Sequence, residues 1–130
     1  HLSFVEMLYS RYSSKTDFMQ ARSLIDGGMQ FALGSDGPMN PYLNIMFASI
    51  HPSRPAEAIT REQAVVAYTK VAAFAEFAEK EKGSLSKGKL ADISVLSQDI
   101  FTAPVPDLPK THSILTFIGG KIAYDEKLLK

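Results

Sequence analysis

Cysteine is absent from this chain of 130 residues, which excludes disulfide bonds, cysteine-ligated zinc and thiol catalysis. Neither sign of charge is in surplus, because 14 basic residues stand against 14 acidic ones. That balance argues against a nucleic-acid partner. No apolar run reaches the roughly 18 residues that a membrane helix needs, so we expect no membrane partner either. The missing disulfides fit a reducing compartment, and we expect a cytoplasmic protein.

A methionine start is also missing, since the first residue is His1. No charged and then apolar signal segment precedes it. Hydrophobic residues make up 45% of the chain and charged residues 22%, values that suit a globular domain. We therefore interpret the chain as a globular piece of a longer protein.

The first part of the chain has the pattern of an α/β unit. Thr16 or Asp17 is a candidate helix cap, and the glycine pair 27–28 predicts the end of that helix. Four apolar residues share one helical face: Phe18, Ala21, Leu24 and Ile25. The apolar run 29–33 then has the length of a buried strand. Residues 37–59 hold four of the seven prolines and predict a loop, with a short helix over 43–49.

The second part begins with a helix and continues as β structure. Thr60 and Gln63 have capping-box spacing, and the apolar stripe after them predicts a helix that runs to 79–82 and ends at Gly83. Residues 93–96 predict a strand, 99–110 a proline-rich connection, and Gly119-Gly120 a hairpin turn. We expect an α/β part over residues 1–82 and a β part over 83–130.

Asp36 is the candidate catalytic residue, because it directly follows the predicted buried strand. The carboxyl ends of parallel strands hold the active sites of barrels and open α/β sheets. A carboxylate at that position can orient a metal-bound water and take its proton. The alternative is a turn in which Asp36 binds nearby backbone N–H groups.

The three histidines, His1, His51 and His112, do not have the spacing of a metal-binding pair. His51 lies in a loop, where a histidine commonly makes a surface or hydrogen-bonding contact. His112 lies at the entry to a predicted strand and is interpreted as structural. Ser35 lacks both the nucleophile-elbow motif and a nearby histidine base, so nucleophilic catalysis by it is not favoured.

Three stretches together resemble the amidohydrolase superfamily, in particular amidohydrolase family 3. They cover residues 27–38 (GGMQFALGSDGP), 59–69 (ITREQAVVAYT) and 83–96 (GSLSKGKLADISVL). The third is the most specific, with its Lys87-Gly88-Lys89 turn followed by Ala91-Asp92 at the start of a strand. The order and spacing agree with the family from about residue 17 to 124.

The resemblance implies a C-terminal piece of a TIM-type (β/α)8 barrel, with its last strand and helices, plus strands of a small composite β-sandwich. Asp36 would be the strand-eight aspartate that binds or orients a metal-bound hydroxide and shuttles its proton to the leaving group. His1 would follow strand seven, and His51 would lie over the barrel mouth; both are candidate substrate-binding residues. Asp92 would be structural, capping the turn into a strand.

The metal ligands that the family places after strands one, four, five and six have no counterpart in this sequence. The resemblance therefore implies that a divalent metal, with zinc as the leading candidate, belongs to the longer enzyme and does not bind tightly to these residues alone. A single carboxylate cannot hold a catalytic zinc, so the isolated chain is expected to be inactive. The uncovered apolar face of a single barrel strand predicts a homo-oligomer or association with the missing barrel portion.

The leading functional hypothesis is hydrolysis of the C–N bond of a small-molecule amide or cyclic amide by metal-activated water in the longer enzyme. The alternative is a truncated, non-enzymatic piece that oligomerises or binds a partner. A self-standing α/β ligand-binding domain is a third hypothesis, and it is less favoured because one parallel strand makes no sheet. The substrate itself is not predicted by fold-level resemblance.

Overall fold

The described part of the computed structural model covers residues 20–35 and 39–127, and its α-helices all precede one antiparallel sheet. Its helices are α1 (Ala21–Asp26), α2 (Pro41–Ile50), α3 (Arg61–Tyr68) and α4 (Lys70–Ala75). Two 3-10 helices span Pro55–Glu57 and Val105–Lys110, and the strands are β1 (Ile93–Leu96), β2 (Ser113–Ile118) and β3 (Lys121–Asp125). Within these two ranges, every helix is too short or too polar to cross a bilayer.

The predicted stop of α1 at the glycine pair is confirmed. The N–H of Met29 donates to the carbonyl of Leu24 at 2.9 Å, and the N–H of Gly28 donates to that of Ile25 at 2.9 Å. These two bonds form a Schellman motif, whose residue after the cap adopts a left-handed conformation. Gly28 supplies it with φ +79°. The candidate caps Thr16 and Asp17, and Phe18, lie outside the described residues.

The prediction of a buried strand over 29–33 is wrong for the described chain. The run is not paired into a sheet, and the side chain of Met29 is 61% exposed. One hydrogen bond, from the N–H of Leu33 to the carbonyl of Ala67 at 3.3 Å, ties its end to α3. A parallel strand needs neighbouring strands for its backbone hydrogen bonds, and the strands of the described chain all belong to a separate antiparallel sheet.

The helix predicted from Thr60 begins as expected but is shorter and broken. Its capping box is confirmed, with Gln63 N–H donating to Thr60 Oγ1 at 3.1 Å and Thr60 N–H donating to Gln63 Oε1 at 2.8 Å. A break at Thr69, with φ −115° and ψ −79°, separates α3 from α4. The Thr69 hydroxyl donates to the carbonyl of Val65 at 2.7 Å, a local bond that competes with regular helix geometry. The extension to residue 82 is also wrong, because α4 ends at Ala75.

The proline-rich connection packs against the helices instead of passing over the surface. Leu108 of the second 3-10 helix is completely buried, together with Ile100 and Ala103. The side chains of Tyr42, Met46, Val65 and Leu96 pack against this cluster. Tyr42 and Val65 also pack against a second cluster, formed by Ala21, Ile45, Ile59 and Ala64. The core of the described chain therefore runs from α1 through α2 and α3 to the connection.

The sheet has the strand order β1-β2-β3, antiparallel throughout. Gly119 and Gly120 form the predicted hairpin turn with φ +57° and +78°. The register places five apolar side chains on one face of the sheet: Ile93, Val95, Leu115, Phe117 and Ile122. No helix of the described ranges makes an extended contact with that face, and Val95 and Ile122 are 40% and 57% exposed. The observed architecture is therefore a mixed α/β unit with an open three-stranded sheet.

Candidate functional site

Asp36, the predicted catalytic and metal-orienting residue, lies outside the described residues together with Gly37 and Pro38. The segments on either side of it are anchored. Before it, Leu33 is bonded to the carbonyl of Ala67 in α3. After it, the side chain of Asn40 accepts from Leu43 N–H at 3.0 Å and donates to the carbonyl of Pro109 at 2.9 Å. Asn40 thus caps α2 and binds the second 3-10 helix at the same time.

The helix that follows this segment is fixed to α3 by a partly buried polar contact. Asn44 Nδ2 donates to the hydroxyl of Tyr68 at 2.6 Å. Tyr42, two residues earlier in α2, packs against both core clusters, and burial raises the pKa of its hydroxyl. The residues on both flanks of Asp36 are therefore attached to the same packed body of helices.

His51, a predicted substrate-binding residue, ends α2 in a left-handed conformation with φ 39° and ψ 80°. Its ring is buried, with 6% of the residue exposed. Nδ1 accepts a hydrogen bond from Arg54 N–H at 3.1 Å, so this nitrogen carries no proton in the observed arrangement. The ring thereby fixes the turn that follows α2, and its contact with a substrate stays a prediction.

Glu57 is a buried carboxylate that sequence reasoning missed. Its Oε2 accepts from Ser23 N–H at 3.0 Å and its Oε1 from the Ser23 hydroxyl at 2.6 Å. These hydrogen bonds, followed by the charge of Arg54, lower the pKa of the Glu57 carboxyl although burial opposes the shift. The carboxylate thus closes the first turn of α1 from a loop 34 residues away. No local pattern in the sequence links the two positions.

The remaining histidines are not brought to the same place. His1 lies outside the described residues. His112 is exposed, and its Nε2 lies 3.7 Å from Glu126 Oε2 at the far end of the sheet. Within residues 20–35 and 39–127, no group of three His, Asp or Glu side chains is arranged to hold a metal ion. The described residues therefore do not fit a metal centre.

The motif over residues 83–96 has a structural role in this chain. Lys89 Nζ donates to the carbonyls of Glu79 and Lys82 at 2.6 and 3.3 Å and to the Ser84 hydroxyl at 2.8 Å. Asp92 Oδ1 accepts from Gly119 N–H at 2.7 Å. Asp92 is thus a capping residue, and the turn it caps is that of the β2-β3 hairpin. The lysine and the aspartate together tie the end of the helical part to the sheet.

Arg61 attaches the connection to α3. Its Nη1 donates to the carbonyls of Ile100, Phe101 and Ala103 at 3.1, 3.1 and 2.6 Å. Asp99 receives bonds from Phe101 N–H and the Thr102 hydroxyl, which lower the pKa of its carboxyl. The turn over residues 99–103 is therefore held by its own carboxylate and by the guanidinium of α3.

Comparison with known proteins places these features in a family. A profile of the Amidohydrolase family matches residues 9–124. N-substituted formamide deformylase of Arthrobacter pascens is 30% identical over 80% of the chain, and Imidazolonepropionase of Thermoplasma volcanium is 30% identical over 83%. Protein LONG AFTER FAR-RED 3 of Arabidopsis thaliana is 36% identical over 79%. The matches cover 21%, 27% and 19% of these relatives, so the chain spans about a fifth to a quarter of their length. No solved structure matches at comparable stringency.

Proposed function

Because the chain belongs to the amidohydrolase family, we propose that it is the C-terminal part of an enzyme that hydrolyses the C–N bond of an amide or cyclic amide. The family match over residues 9–124 carries this proposal. Two of the relatives bear names of C–N hydrolases, N-substituted formamide deformylase and Imidazolonepropionase. The short coverage of those relatives supports a part rather than a whole catalytic unit.

In this proposal the helical part is the end of a TIM-type barrel. The segment 29–33 becomes its last strand when neighbouring strands are available to pair with it, and residues 83–130 contribute strands to a β-sandwich. Asp36 follows that strand and acts as the acid/base. Its carboxylate accepts a proton from the attacking water and returns it to the nitrogen as the C–N bond breaks. His1 and His51 are proposed to contact the substrate.

The family is typically metal-dependent, and a divalent metal such as zinc would activate the attacking water when bound. The described residues offer no cluster that could hold it. Its ligands are therefore proposed to come from the rest of the enzyme. This chain contributes the carboxylate of Asp36, and alone it is proposed to be inactive.

A chimera tests the role of Asp36. The segment of the Arthrobacter pascens deformylase that aligns with this chain is replaced by the chain, and turnover of an N-substituted formamide is measured. Asp36→Asn is expected to lower kcat by at least ~100-fold, since general acid–base groups contribute about that much. Asp26→Asn, at an exposed helix end, is the matched control and should keep wild-type turnover. Undiminished turnover in Asp36→Asn would falsify the assigned role.

A non-enzymatic piece that associates with itself is the second candidate. The uncovered apolar face of the sheet favours it, because large apolar patches commonly mark interaction sites. Light scattering during size-exclusion chromatography distinguishes the two. A dimer or larger species that Ile122→Lys dissociates supports self-association, whereas a monomer at high concentration argues against it.

A further inference from the structure

We propose that the turn after α4 and the loop over residues 83–90 form the surface on which the remaining part of an amidohydrolase chain packs. This α4-turn surface comprises Phe74, Phe77, Glu79 and Leu85. The inference rests on the proposed function, since it assigns a contact within the longer enzyme. It concerns assembly, not the acid/base role of Asp36.

Phe77 occupies a backbone position that favours glycine. α4 ends in a Schellman motif, with Ala78 N–H donating to the carbonyl of Ala73 at 2.8 Å and Phe77 N–H to that of Phe74 at 2.9 Å. The left-handed residue of this motif is Phe77, with φ +60°. The same position in α1 is occupied by Gly28. A side chain there costs about 1 kcal/mol or more, because its Cβ crowds the following carbonyl.

Burial of the Phe77 ring does not offset this conformational cost. The ring is 93% exposed, and Phe74 beside it is 45% exposed. Leu85, in the adjoining loop, is 79% exposed. The loop is held against the α4 turn by the Lys89 bonds to Glu79 and Ser84. A strained backbone and an exposed aromatic side chain at one residue together indicate a contact made outside the described residues.

Glu79 supplies an independent observation at the same place. Its Oε2 is shielded from solvent and has no hydrogen-bond partner among the described residues. Two lysines close to it in sequence are engaged elsewhere: Lys82 pairs with Glu76 at 2.6 Å, and Lys89 binds carbonyl oxygens and a hydroxyl. A buried carboxylate oxygen without a donor is costly. The α4 turn therefore carries this cost in addition to the strain at Phe77.

The lengths of the relatives indicate what covers the α4-turn surface. The chain covers 19–27% of the relatives described above, so most of a family member's chain is available to cover this surface. The covering segment is required to place an apolar side chain against Phe77 and Leu85, which are the most exposed members of the surface. A second copy of the chain is the competing occupant, and it is an outcome of the test.

The test compares each variant in the chain alone and in the deformylase chimera. In the chain alone, Phe77→Gly should raise the melting temperature by a few degrees, because glycine relieves the left-handed conformation and no contact is lost. In the chimera the same change should lower it, because the ring is then buried. Phe101→Ala, which changes an aromatic residue 47% exposed outside this surface, is the control and should shift little in either setting.

Three results overturn the inference. One is a lower melting temperature of Phe77→Gly in the chain alone, which places the support for the ring within these 130 residues. Another is an unchanged or raised melting temperature of Phe77→Gly in the chimera. The last is self-association of the chain that Phe77→Gly abolishes, which assigns the surface to a second copy. None of these readouts depends on turnover, so the proposed catalytic role stands or falls separately.

Discussion

Both carboxylate oxygens of Glu57 accept hydrogen bonds from Ser23, although 34 residues separate the two positions. The pair joins the loop after α2 to the first turn of α1. The neighbouring bond from Arg22 Nε to the carbonyl of Ala58 at 2.8 Å reinforces the same junction. The loop is thus attached to α1 through two successive residues.

Glu57→Gln should lower the melting temperature of the chain by a few degrees at pH 7, because an amide has one acceptor oxygen where the carboxylate has two. The pKa of Glu57 is lower in the folded chain than its ordinary value. Its stabilisation is therefore fully present above the ordinary value and is lost as pH falls through the folded value. Thermal melts of both proteins from pH 7 to pH 2 should converge at the acid end. A constant gap over that range would contradict the assignment.

Gly83→Ala should destabilise the chain by about 2–4 kcal/mol, combining a left-handed conformation with overpacking. A Cβ at this residue would lie 2.6 Å from the Cβ of Ala73 and 2.9 Å from the carbonyl oxygen of Thr69, and φ is +85°. Gly88→Ala is the matched control, since its φ is +93° but nothing lies within 4 Å of the added Cβ. That control should cost only about 1–2 kcal/mol. Urea unfolding of the two variants separates steric from conformational cost, and equal losses would refute the close packing of Gly83 on the α3–α4 break.

Asp92→Ala should lower the free energy of unfolding by about 1 kcal/mol, because it leaves the hairpin amide of Gly119 without its acceptor. Asp107→Ala removes an exposed ion pair with Lys110 and should cost less than about 0.5 kcal/mol. Hydrogen exchange identifies the location of the effect: the β2–β3 hairpin should exchange faster in Asp92→Ala alone. An unaltered exchange rate in the hairpin of Asp92→Ala would show that Asp92 does not stabilise the hairpin.

Arg61→Met should lower the free energy of unfolding by about 1.5–3 kcal/mol, since it removes a charged donor from three carbonyls while keeping much of the apolar side-chain volume. Arg22→Met removes a cation that donates to one carbonyl and should cost less. The two variants are compared by urea unfolding. If Arg22→Met lowered the free energy of unfolding more than Arg61→Met did, the attachment of the 99–103 turn by Arg61 would be unimportant for stability.

Local signals account for what the sequence predicted correctly. The capping box of Thr60 and Gln63, the glycine pair 27–28 and the Gly119-Gly120 hairpin each depend on residues within a few positions of one another. The strand over residues 93–96 is also observed with the predicted bounds, and it pairs with β2. The short helix expected over 43–49 is also confirmed, as α2 over Pro41–Ile50.

Most of the features that the sequence did not predict depend on contacts between residues far apart in the chain. The strand over 29–33 depends on neighbouring strands that the described chain does not contain. The break at Thr69 is an exception, because it accompanies a local hydroxyl bond to Val65 that a hydrophobic stripe does not reveal. The Glu57–Ser23 pair and the three carbonyls around Arg61 join positions more than 30 residues apart. Asp36, the residue on which the catalytic hypothesis depends, lies outside the described residues, so its role stays a prediction.

Each of the two strand pairings in the sheet contains one β-bulge, and the two bulges lie on different strands. In the β2-β3 pairing the extra residue is Ala123, on the outer strand β3, whereas in the β1-β2 pairing it is Ile114, on the central strand. A bulge and an outward lysine, Lys121, both discourage a further strand from adding next to β3. The backbone of β1 has no such interruption. A larger sheet built on this one would therefore add its next strand beside β1. That addition would change β1 from an edge strand into a central strand.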